Sequence, residues 1–417
     1  MQPFHVSQSG PSPPTFPSGF LWGTATSAHQ VEGDNSNNDW WTWERQPGRI
    51  ARGHRAGRAG DWWRAAEADF DRMAALHQNA HRLSIEWSRL ERNPGQWDDG
   101  ALARYREMLT GLRQRGIAPM VTLHHFTFPL WVAARGGWLW PGLPQAFARF
   151  ARFAAAGLGD LVDLWCTINE PNVAVVLGYL TGRFPPGGGG LRKARDAAVN
   201  SLRAHAAAYR TLHGAQPNAR VNWAYLDALR DGVLRVGPRV RVPEAAGTLD
   251  FIGVNYYSRD LVQFDPRHAR TLFGRHFPTP GAPISDGGYG EVYPAGLLRV
   301  LLRANQYGLP IYVTENGLPD EDDTLRPGFL IDHLIELWRA SRMGCDVRGY
   351  FHWSLIDNFE WADGWTLRFG LIAMDPETQI RTPRSSSTLY SEICRRSALP
   401  PAAIAARRVR PEIPPKE

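Results

Sequence analysis

Cysteine, lysine and long apolar runs are scarce in this chain. Its 417 residues include three cysteines, Cys166, Cys345 and Cys394, which lie far apart and show no metal-ligand spacing. This pattern argues against a disulfide framework and against a cysteine-based metal site, and we expect three buried, reduced thiols. No apolar run approaches the roughly 20 residues that cross a bilayer, so we expect no membrane partner.

Lysine occurs only at Lys193 and Lys416, so arginine supplies almost all of the positive charge behind a net charge of +6. The arginines are spread through helical segments beside acidic neighbours, whereas nucleic-acid binding favours a clustered basic patch. We therefore expect no nucleic-acid partner. Residues 1–18 are polar and proline-rich and lack the basic and apolar regions of a signal peptide, which predicts a cytoplasmic location.

Apolar β-type runs alternate with amphipathic stretches, which is typical of a parallel sheet with crossover helices. The eight predicted strands are Phe20 to Ala25, Ala80 to Ile85, Pro119 to His124, Leu164 to Asn169, Arg220 to Tyr225, Asp250 to Tyr256, Ile311 to Glu315 and Arg348 to Ser354. The main predicted helices are Asp61 to Leu76, Asp99 to Arg115, Leu143 to Leu158, Leu191 to His213, Gly296 to Tyr307 and Phe329 to Arg342. This α/β pattern predicts a single (β/α)8 TIM barrel over residues 16–397.

Three segments depart from the regular alternation. The 24 residues from 226 to 249 are rich in Arg, Gly and Pro, which predicts a shortened segment after the fifth strand with a short or broken helix. Residues 1–15 are predicted to be a flexible lead. Residues 398–417 repeat Pro, Ala and Arg and are predicted to be a weakly ordered tail.

Two predicted strands each end at a glutamate. Glu170 closes the run that starts at Leu164, and Glu315 closes the run that starts at Ile311. In a parallel barrel the carboxyl ends of the strands face one shared pocket, so the two carboxyls are expected to meet there. Two carboxylates that flank one bond are the chemical requirement of glycoside hydrolysis. The pair therefore predicts an enzyme that cleaves sugars, and the residues alone leave its stereochemistry open.

Several separated motifs resemble those of glycoside hydrolase family 1, the retaining β-glucosidases and β-galactosidases, from about Phe16 to Tyr390. They agree with the family in order and spacing, and together they make coincidence very improbable. The motifs are Gly19 to Gly33 (GFLWGTATSAHQVEG), Arg82 to Arg89 (RLSIEWSR), Thr167 to Pro171 (TINEP), Asn255 to Ser258 (NYYS), Thr314 to Gly317 (TENG) and Trp353 to Trp361 (WSLIDNFEW).

The resemblance implies roles for the catalytic residues. Glu170 is expected to be the general acid/base and Glu315 the nucleophile, with carboxyl groups roughly 5 to 5.5 Å apart, as a retaining mechanism requires. Arg82 and Tyr257 are expected to hydrogen-bond Glu315. Asn169 is expected to bind the sugar 2-hydroxyl.

The resemblance also implies a substrate-binding set, with no metal and no cofactor. Gln30, His125, Glu360 and Trp361 match the family's residues around the hydroxyls of the non-reducing sugar, and Trp353 matches the aromatic floor beneath the ring. A sugar has polar edges and an apolar face, so amide and carboxyl groups at its rim and an indole below it complement it. Taken alone, His125 is typical of a buried core histidine. Its place directly after Val121 to His124 favours a role in binding the sugar.

At three places the chain departs from the family pattern, and these places limit which properties of the family can be expected of it. Phe126 stands where many relatives have Trp, which predicts a looser wall of the sugar site. The short segment 226–249 predicts an open leaving-group side or an edge covered by a partner chain, so a homo-oligomer stays open. Relatives that cleave 6-phosphosugars carry a Lys and a Tyr in the segment where this chain has Leu367 and Phe369, and they lack a carboxylate at the position of Glu360. These differences predict an unphosphorylated β-linked glycoside as substrate.

The sequence leaves three functions open at the same site. The first is hydrolysis of terminal β-D-glucosyl residues, with galactosyl and fucosyl residues as alternatives. The second is transglycosylation, which needs the same residues and an acceptor alcohol. The third is a non-catalytic sugar-binding barrel, and the presence of Glu170, Glu315, Arg82 and Tyr257 together argues against it.

Overall fold

The computed structural model of the protein describes residues 13–215, 223–235, 239–267 and 274–408. Seven parallel strands form its central sheet: β1 (Leu21–Ala25), β2 (Ala80–Ser84), β3 (Ala118–His124), β4 (Leu164–Ile168), β5 (Ile252–Tyr256), β6 (Ile311–Asn316) and β7 (Val347–Trp353). Their order across the sheet is β4-β3-β2-β1-β7-β6-β5. The first strand pairs with the last, which curls the sheet into the wall of a (β/α)8 barrel.

The helices cover the outside of this sheet. The longer ones are α1 (Trp62–Ala75), α2 (Asp99–Gln114), α3 (Leu143–Leu158), α4 (Leu191–Ala215), α5 (Trp223–Asp231), α6 (Pro294–Asn305), α7 (Arg326–Arg342), α8 (Ser385–Arg396) and α9 (Pro401–Arg408). In α3, Phe147, Phe150, Ala154 and Leu158 are buried at three- and four-residue spacing, so one face of the helix packs inward. This alternation confirms the predicted barrel architecture.

Shorter elements follow several strands at their carboxyl ends. One-turn α-helices cover Ala28–Val31, Asp39–Trp43, Trp87–Leu90, Leu130–Ala133 and Pro171–Val175, and a π-helix covers Val176–Thr181. Four antiparallel two-stranded ribbons pair Glu91–Asn93 with Gln96–Trp97, Val233–Leu234 with Val240–Arg241, Leu261–Phe264 with Gly274–Phe277, and Ile372–Met374 with Arg381–Pro383. These elements lie outside the central sheet and shape its rim.

The prediction of a strand at Arg220 to Tyr225 is wrong over its second half. Residues 220–222 lie outside the described residues, and Trp223 to Tyr225 open helix α5. Leu226, Ala228 and Leu229 are buried while Arg230 is exposed, so the periodicity from this point onward is helical and outweighs the β-type composition. Among the described residues no strand lies between β4 and β5. An eight-stranded barrel has one further strand at this place.

Two further expectations concern the tail and the cysteines. Part of the predicted weakly ordered tail forms helix α9, where Arg407 makes an ion pair with Asp332 of α7. Local composition misses this helix because a tertiary contact stabilises it. Cys166, Cys345 and Cys394 are free and buried, as expected. Within the described ranges, no helix is both long and apolar enough to cross a membrane.

The core has an inner and an outer part. Inside the sheet, buried side chains from six strands form one cluster: Ala25, Ala80, Met120, Cys166, Tyr312, Phe351 and Trp353. Outside it, two larger clusters lie between strands and helices and include Trp62, Phe70, Phe150, Trp165, Leu301 and Leu334. The tightly packed barrel fixes the position of each strand end, and the residues of the site stand on those ends.

Candidate active site

A cavity of about 260 Å³ lies at the carboxyl ends of the barrel strands. Both predicted catalytic glutamates line it. Glu170 directly follows β4, and Glu315 lies in β6 one residue before the strand ends. The two are 145 positions apart in the chain. The curled parallel sheet brings them together because its strands point their carboxyl ends at one space.

Glu315 is buried and held by two donors. The Nη1 of Arg82 donates to Glu315 Oε1, and the hydroxyl of Tyr257 donates to Glu315 Oε2 over 2.5 Å. Burial and the charge of Glu315 raise the pKa of Tyr257 well above its usual value, so the phenol keeps its proton. Burial by itself would lower the pKa of Arg82, but the charges around it and its hydrogen bond to Glu315 together outweigh burial, and the pKa is raised. Glu315 is therefore fixed as a hydrogen-bond acceptor beside a permanent cation.

Glu170 has a different environment. Its backbone lies in the left-handed region, with φ 39° and ψ 57°, where the chain turns from β4 into the helix that starts at Pro171. Burial, and then the charge of Glu315, raise the pKa of Glu170 from 4.5 to about 8. A hydrogen bond of 3.0 Å from Asn255 Nδ2 and the charge of Arg82 act in the opposite direction. Burial therefore favours the protonated form of Glu170 at neutral pH.

Asn169 connects the two sides of the site. Its Oδ1 accepts from Arg82 Nη2 over 2.6 Å and from Asn255 Nδ2 over 3.2 Å. Its Nδ2 must then donate to His125 Nε2, 3.1 Å away. Burial lowers the pKa of His125 well below its usual value, so the neutral ring carries its proton on Nδ1. Asn169 and His125 thus have fixed donor and acceptor directions.

Gln30 and Glu360 form a second polar group in the site. Gln30 Nε2 donates to Glu360 Oε2 over 3.2 Å and to the carbonyl of Phe359 over 2.9 Å. Asn358 Nδ2 also donates to Glu360 Oε2 over 3.2 Å. Burial raises the pKa of Glu360 to about 8, against the hydrogen bond from Asn358, and the charges of Asp363 and Glu315 contribute to the rise. The carboxyl is thus able both to donate and to accept at neutral pH.

Aromatic side chains form the walls. The rings of Trp353 and Trp361 each lie 5.9 Å from the ring of His125, at interplanar angles of 24° and 16°. Phe126 packs edge-on against Trp361 at 5.1 Å. Behind Glu315 the chain runs so close to Trp353 that a Cβ at Gly317 would lie 2.0 Å from the Trp353 carbonyl oxygen. The glycine after Thr314 to Asn316 is therefore required for this approach.

The structure brings all ten residues predicted for the site to the carboxyl ends of the strands. Glu170, Glu315, Tyr257, His125, Trp353, Glu360 and Trp361 line the cavity directly. Arg82, Asn169 and Gln30 reach it through hydrogen bonds to Glu315, His125 and Glu360.

Sequence reasoning missed several residues of the site. The NYYS motif indicated the place of Asn255 but not its contact with Glu170. Tyr289, Arg183, Phe184 and Asp363 also line the cavity. Arg183 and Tyr289 lie in irregular segments, and no local pattern indicated them. In the part of the chain that the structure describes, no three His, Cys, Asp or Glu side chains are grouped as metal ligands.

The sequence model described as Glycosyl hydrolase family 1 matches residues 12–231 and 241–398. A β-galactosidase of Pyrococcus woesei is 31% identical over 91% of this chain and 96% of its own length. β-Glucosidase A of Thermotoga maritima is 30% identical over 92% of this chain and 98% of its own length.

Solved structures agree with these sequence matches. A β-glycosidase from Pyrococcus horikoshii superposes with a TM-score of 0.89 at 38% identity, covering 96% of this chain and all of that one. The β-glucosidase from Thermotoga maritima in complex with glucoimidazole superposes with a TM-score of 0.88 at 29% identity, covering 93% of this chain and all of that one.

Proposed function

The chain belongs to glycosyl hydrolase family 1 and is a glycoside hydrolase, and from this we propose that it is a retaining β-glycosidase acting on terminal, non-reducing β-D-glucosyl residues. One observation carries the proposal. Glu315 accepts hydrogen bonds from Arg82 and Tyr257, while Glu170 in the same cavity has a pKa of about 8. One carboxyl is prepared to attack and the other to donate a proton, as a double displacement requires.

In the first step Glu315 attacks the anomeric carbon and Glu170 donates its proton to the glycosidic oxygen. The bond to the leaving group breaks, the leaving group departs as an alcohol, and the sugar is esterified to Glu315. Glu170 is then ionised. The positive charge that develops on the ring is stabilised by Glu315, and the amide of Asn169, which Arg82 orients from behind, binds the 2-hydroxyl of the sugar.

In the second step water attacks the anomeric carbon of the glycosyl-enzyme. Glu170 takes a proton from that water, and the ester bond to Glu315 breaks. Once Glu315 is esterified its negative charge is gone, so one of the causes that raise the pKa of Glu170 is removed. The same side chain thereby holds its proton until bond cleavage and remains ionised afterwards to act as base.

Sugar recognition follows from the groups around the cavity. Gln30 and Glu360 offer both donors and acceptors to the hydroxyls, and Trp353 offers a flat apolar surface to the ring. The same groups suit galactosyl and fucosyl residues, and the curated relatives include both β-glucosidases and β-galactosidases. Leu367 and Phe369 are buried apolar side chains, which supports an unphosphorylated sugar.

The shortened segment 226–249, which precedes β5, is part of the proposal. The family match is interrupted between residues 231 and 241, inside this segment. The stretch contains the second part of helix α5 and the small ribbon that ends at Arg241. We expect the leaving-group side of the cavity to be more open here than in relatives, and no metal or cofactor to be required. The cytoplasmic location and the single catalytic domain over residues 16–397 also stay predictions.

Two variants test the mechanism. Glu315→Ala should lower turnover of a nitrophenyl β-glucoside by roughly 10⁵-fold. Glu170→Ala should slow alkyl β-glucosides by about 10² to 10⁴-fold and dinitrophenyl β-glucoside far less, because only the poor leaving group needs a proton. Glu321→Ala is the control, since Glu321 is exposed and does not line the cavity. Activity retained in Glu315→Ala would contradict the proposal.

Stereochemistry and specificity need separate assays. Proton NMR of the first-formed sugar should show the β anomer, and an α anomer would rule out retention. A panel of nitrophenyl glycosides that differ at one hydroxyl should rank glucosides first. Product analysis with an added acceptor alcohol separates hydrolysis from transglycosylation.

A further inference from the structure

An ion pair joins two loops at the mouth of the catalytic cavity. Arg183 Nη2 donates to both carboxylate oxygens of Asp363, over 2.7 and 2.6 Å. Arg183 follows the π-helix Val176–Thr181, on the segment that begins at Glu170. Asp363 ends the short helix Trp361–Asp363, next to the sugar-binding Glu360. The pair therefore connects the loop that carries the proposed acid with the loop that carries proposed sugar ligands.

Exposure increases from the floor of the cavity to this pair. Glu315 and Trp353 are each 3% exposed, whereas the side chains of Arg183 and Asp363 are 52% and 33% exposed. In the proposed reaction the sugar occupies the floor, where the nucleophile is. A leaving group that takes its proton from Glu170 must extend outward, so it passes the Arg183 segment.

Arg183 retains donors for a ligand. Of its five N–H groups, only those on Nη2 have a partner among the described residues. Arg183 is also the only arginine or lysine among the described residues that line the cavity. Its ion pair with Asp363 limits the rotamers of a long side chain, so less entropy is lost when the remaining donors bind.

The same segment supplies an apolar surface beside the guanidinium. Val173 and Leu177 are half-buried, Phe184 is buried, and all three line the cavity. This combination suits a leaving group with a flat apolar body and an acceptor group at its edge. A carboxylate is the acceptor that best matches the unpartnered N–H groups of Arg183, because donor and acceptor are both charged and the hydrogen bond is charge-assisted.

We propose that Arg183, held in place by Asp363, is a specificity-determining residue that favours aryl β-glycosides whose leaving group carries a carboxylate. This inference rests on the proposed function, since it concerns the leaving group of that reaction. An N–H group on Nη1 of Arg183 donates to the carboxylate, and the aryl ring lies along Val173, Leu177 and Phe184.

The test compares two substrates that differ only in charge. One is a carboxyphenyl β-glycoside and the other is the matched carbamoylphenyl β-glycoside, with the sugar that the nitrophenyl panel ranks first. For the parent enzyme and for each variant, kcat/KM for the carboxyphenyl glycoside is divided by kcat/KM for the carbamoylphenyl glycoside. Comparing this ratio between variants cancels the difference in leaving-group basicity.

R183Q should lower the ratio about tenfold, which is the size of one charge-assisted hydrogen bond at a half-exposed site. R183K keeps the charge without the planar fork and should lower the ratio less than R183Q. The matched control is R203Q. Arg203 pairs with Glu244 at 2.8 Å, their side chains are 48% and 34% exposed, and the pair lies away from the cavity. This control should leave the ratio unchanged.

A ratio in R183Q within twofold of the parent value would overturn the inference, as would a parent enzyme that cleaves the nitrophenyl glycoside but not the carboxyphenyl one. Both results leave the proposed function standing. Failure of the proposed function has a different signature, because the parent would then cleave none of the glycosides.

Discussion

The raised pKa of Glu170 predicts that an active-site substitution stabilises the protein increasingly as the pH rises from about 4.5 to about 8. The carboxyl has a pKa of about 8 in the folded chain, against an ordinary value of 4.5, because of burial and then the charge of Glu315. Between these two pH values the folded chain binds a proton that the unfolded chain has lost. The free energy of unfolding therefore falls as the pH rises through this window. Glu170→Gln removes the titrating group while keeping its shape.

The size of the effect follows from the shift. A shift from 4.5 to about 8 corresponds to an upper limit of about 5 kcal/mol above pH 8. Water entering the half-buried site reduces this penalty, and we expect about 1 to 3 kcal/mol. Unfolding a chain of 417 residues carries an entropy of roughly 0.9 kcal/mol per kelvin, so each kcal/mol moves the melting temperature by about 1 °C.

The assay is differential scanning calorimetry of the parent and Glu170→Gln at pH 5 and pH 8.5. The variant should melt about 1 to 3 °C above the parent at pH 8.5, and the two should nearly coincide at pH 5. The alkaline limb of kcat/KM for the parent should fall near pH 8 for the same reason. A variant that melts at or below the parent temperature at pH 8.5 would refute the reasoning, because Glu170 would then be stable as an anion.

Glu67→Gln is a control of opposite sign. Burial would raise the pKa of Glu67, but hydrogen bonds from Arg104 at 2.6 and 3.0 Å, a backbone hydrogen bond and the charges of Arg104 and Arg115 together lower it. Its stabilising contribution is therefore present above the ordinary carboxyl pKa and is lost as the pH falls through the lowered value. Glu67→Gln should reduce the melting temperature at pH 8.5, and the difference should shrink at acid pH.

Two further predictions concern the positioning of the nucleophile and the stability of the barrel. Tyr257→Phe removes the donor to Glu315 Oε2 and should lower kcat/KM about tenfold, measured against Tyr307→Phe, which removes a phenol–carboxylate bond to Asp227 outside the cavity. Equal effects of the two variants would contradict a positioning role. Asp357→Asn weakens the buried, two-point ion pair with Arg384, at 2.9 and 3.0 Å, and should lower the free energy of unfolding by about 3 kcal/mol in urea titration. Asp346→Asn, in an exposed pair with Arg348, should change it by less than about 1 kcal/mol, and a comparable loss in both would argue against the role of burial.

Much of the fold and of the site could be predicted from local patterns. Seven strands and the main helices lie within a few residues of their predicted bounds, because apolar periodicity and element ends are local properties. Glu170 and Glu315 were predicted to meet because a parallel barrel directs the carboxyl ends of its strands to one place. The predicted strand at Trp223 to Tyr225 failed because a short apolar run fits either a strand or the first turn of an amphipathic helix.

The sequence by itself determined the identity and the strand-end positions of the chemical groups: Glu170 after β4, Glu315 in β6 and Arg82 in β2. Only the tertiary structure decided how those groups behave. Glu170 holds its proton because the folded chain buries it beside Glu315, and Asn255 acts on it from a third strand. Arg183 and Asp363 meet across 180 positions of the chain. Burial and long-range charge depend on the packing of distant segments, and no local pattern encodes them.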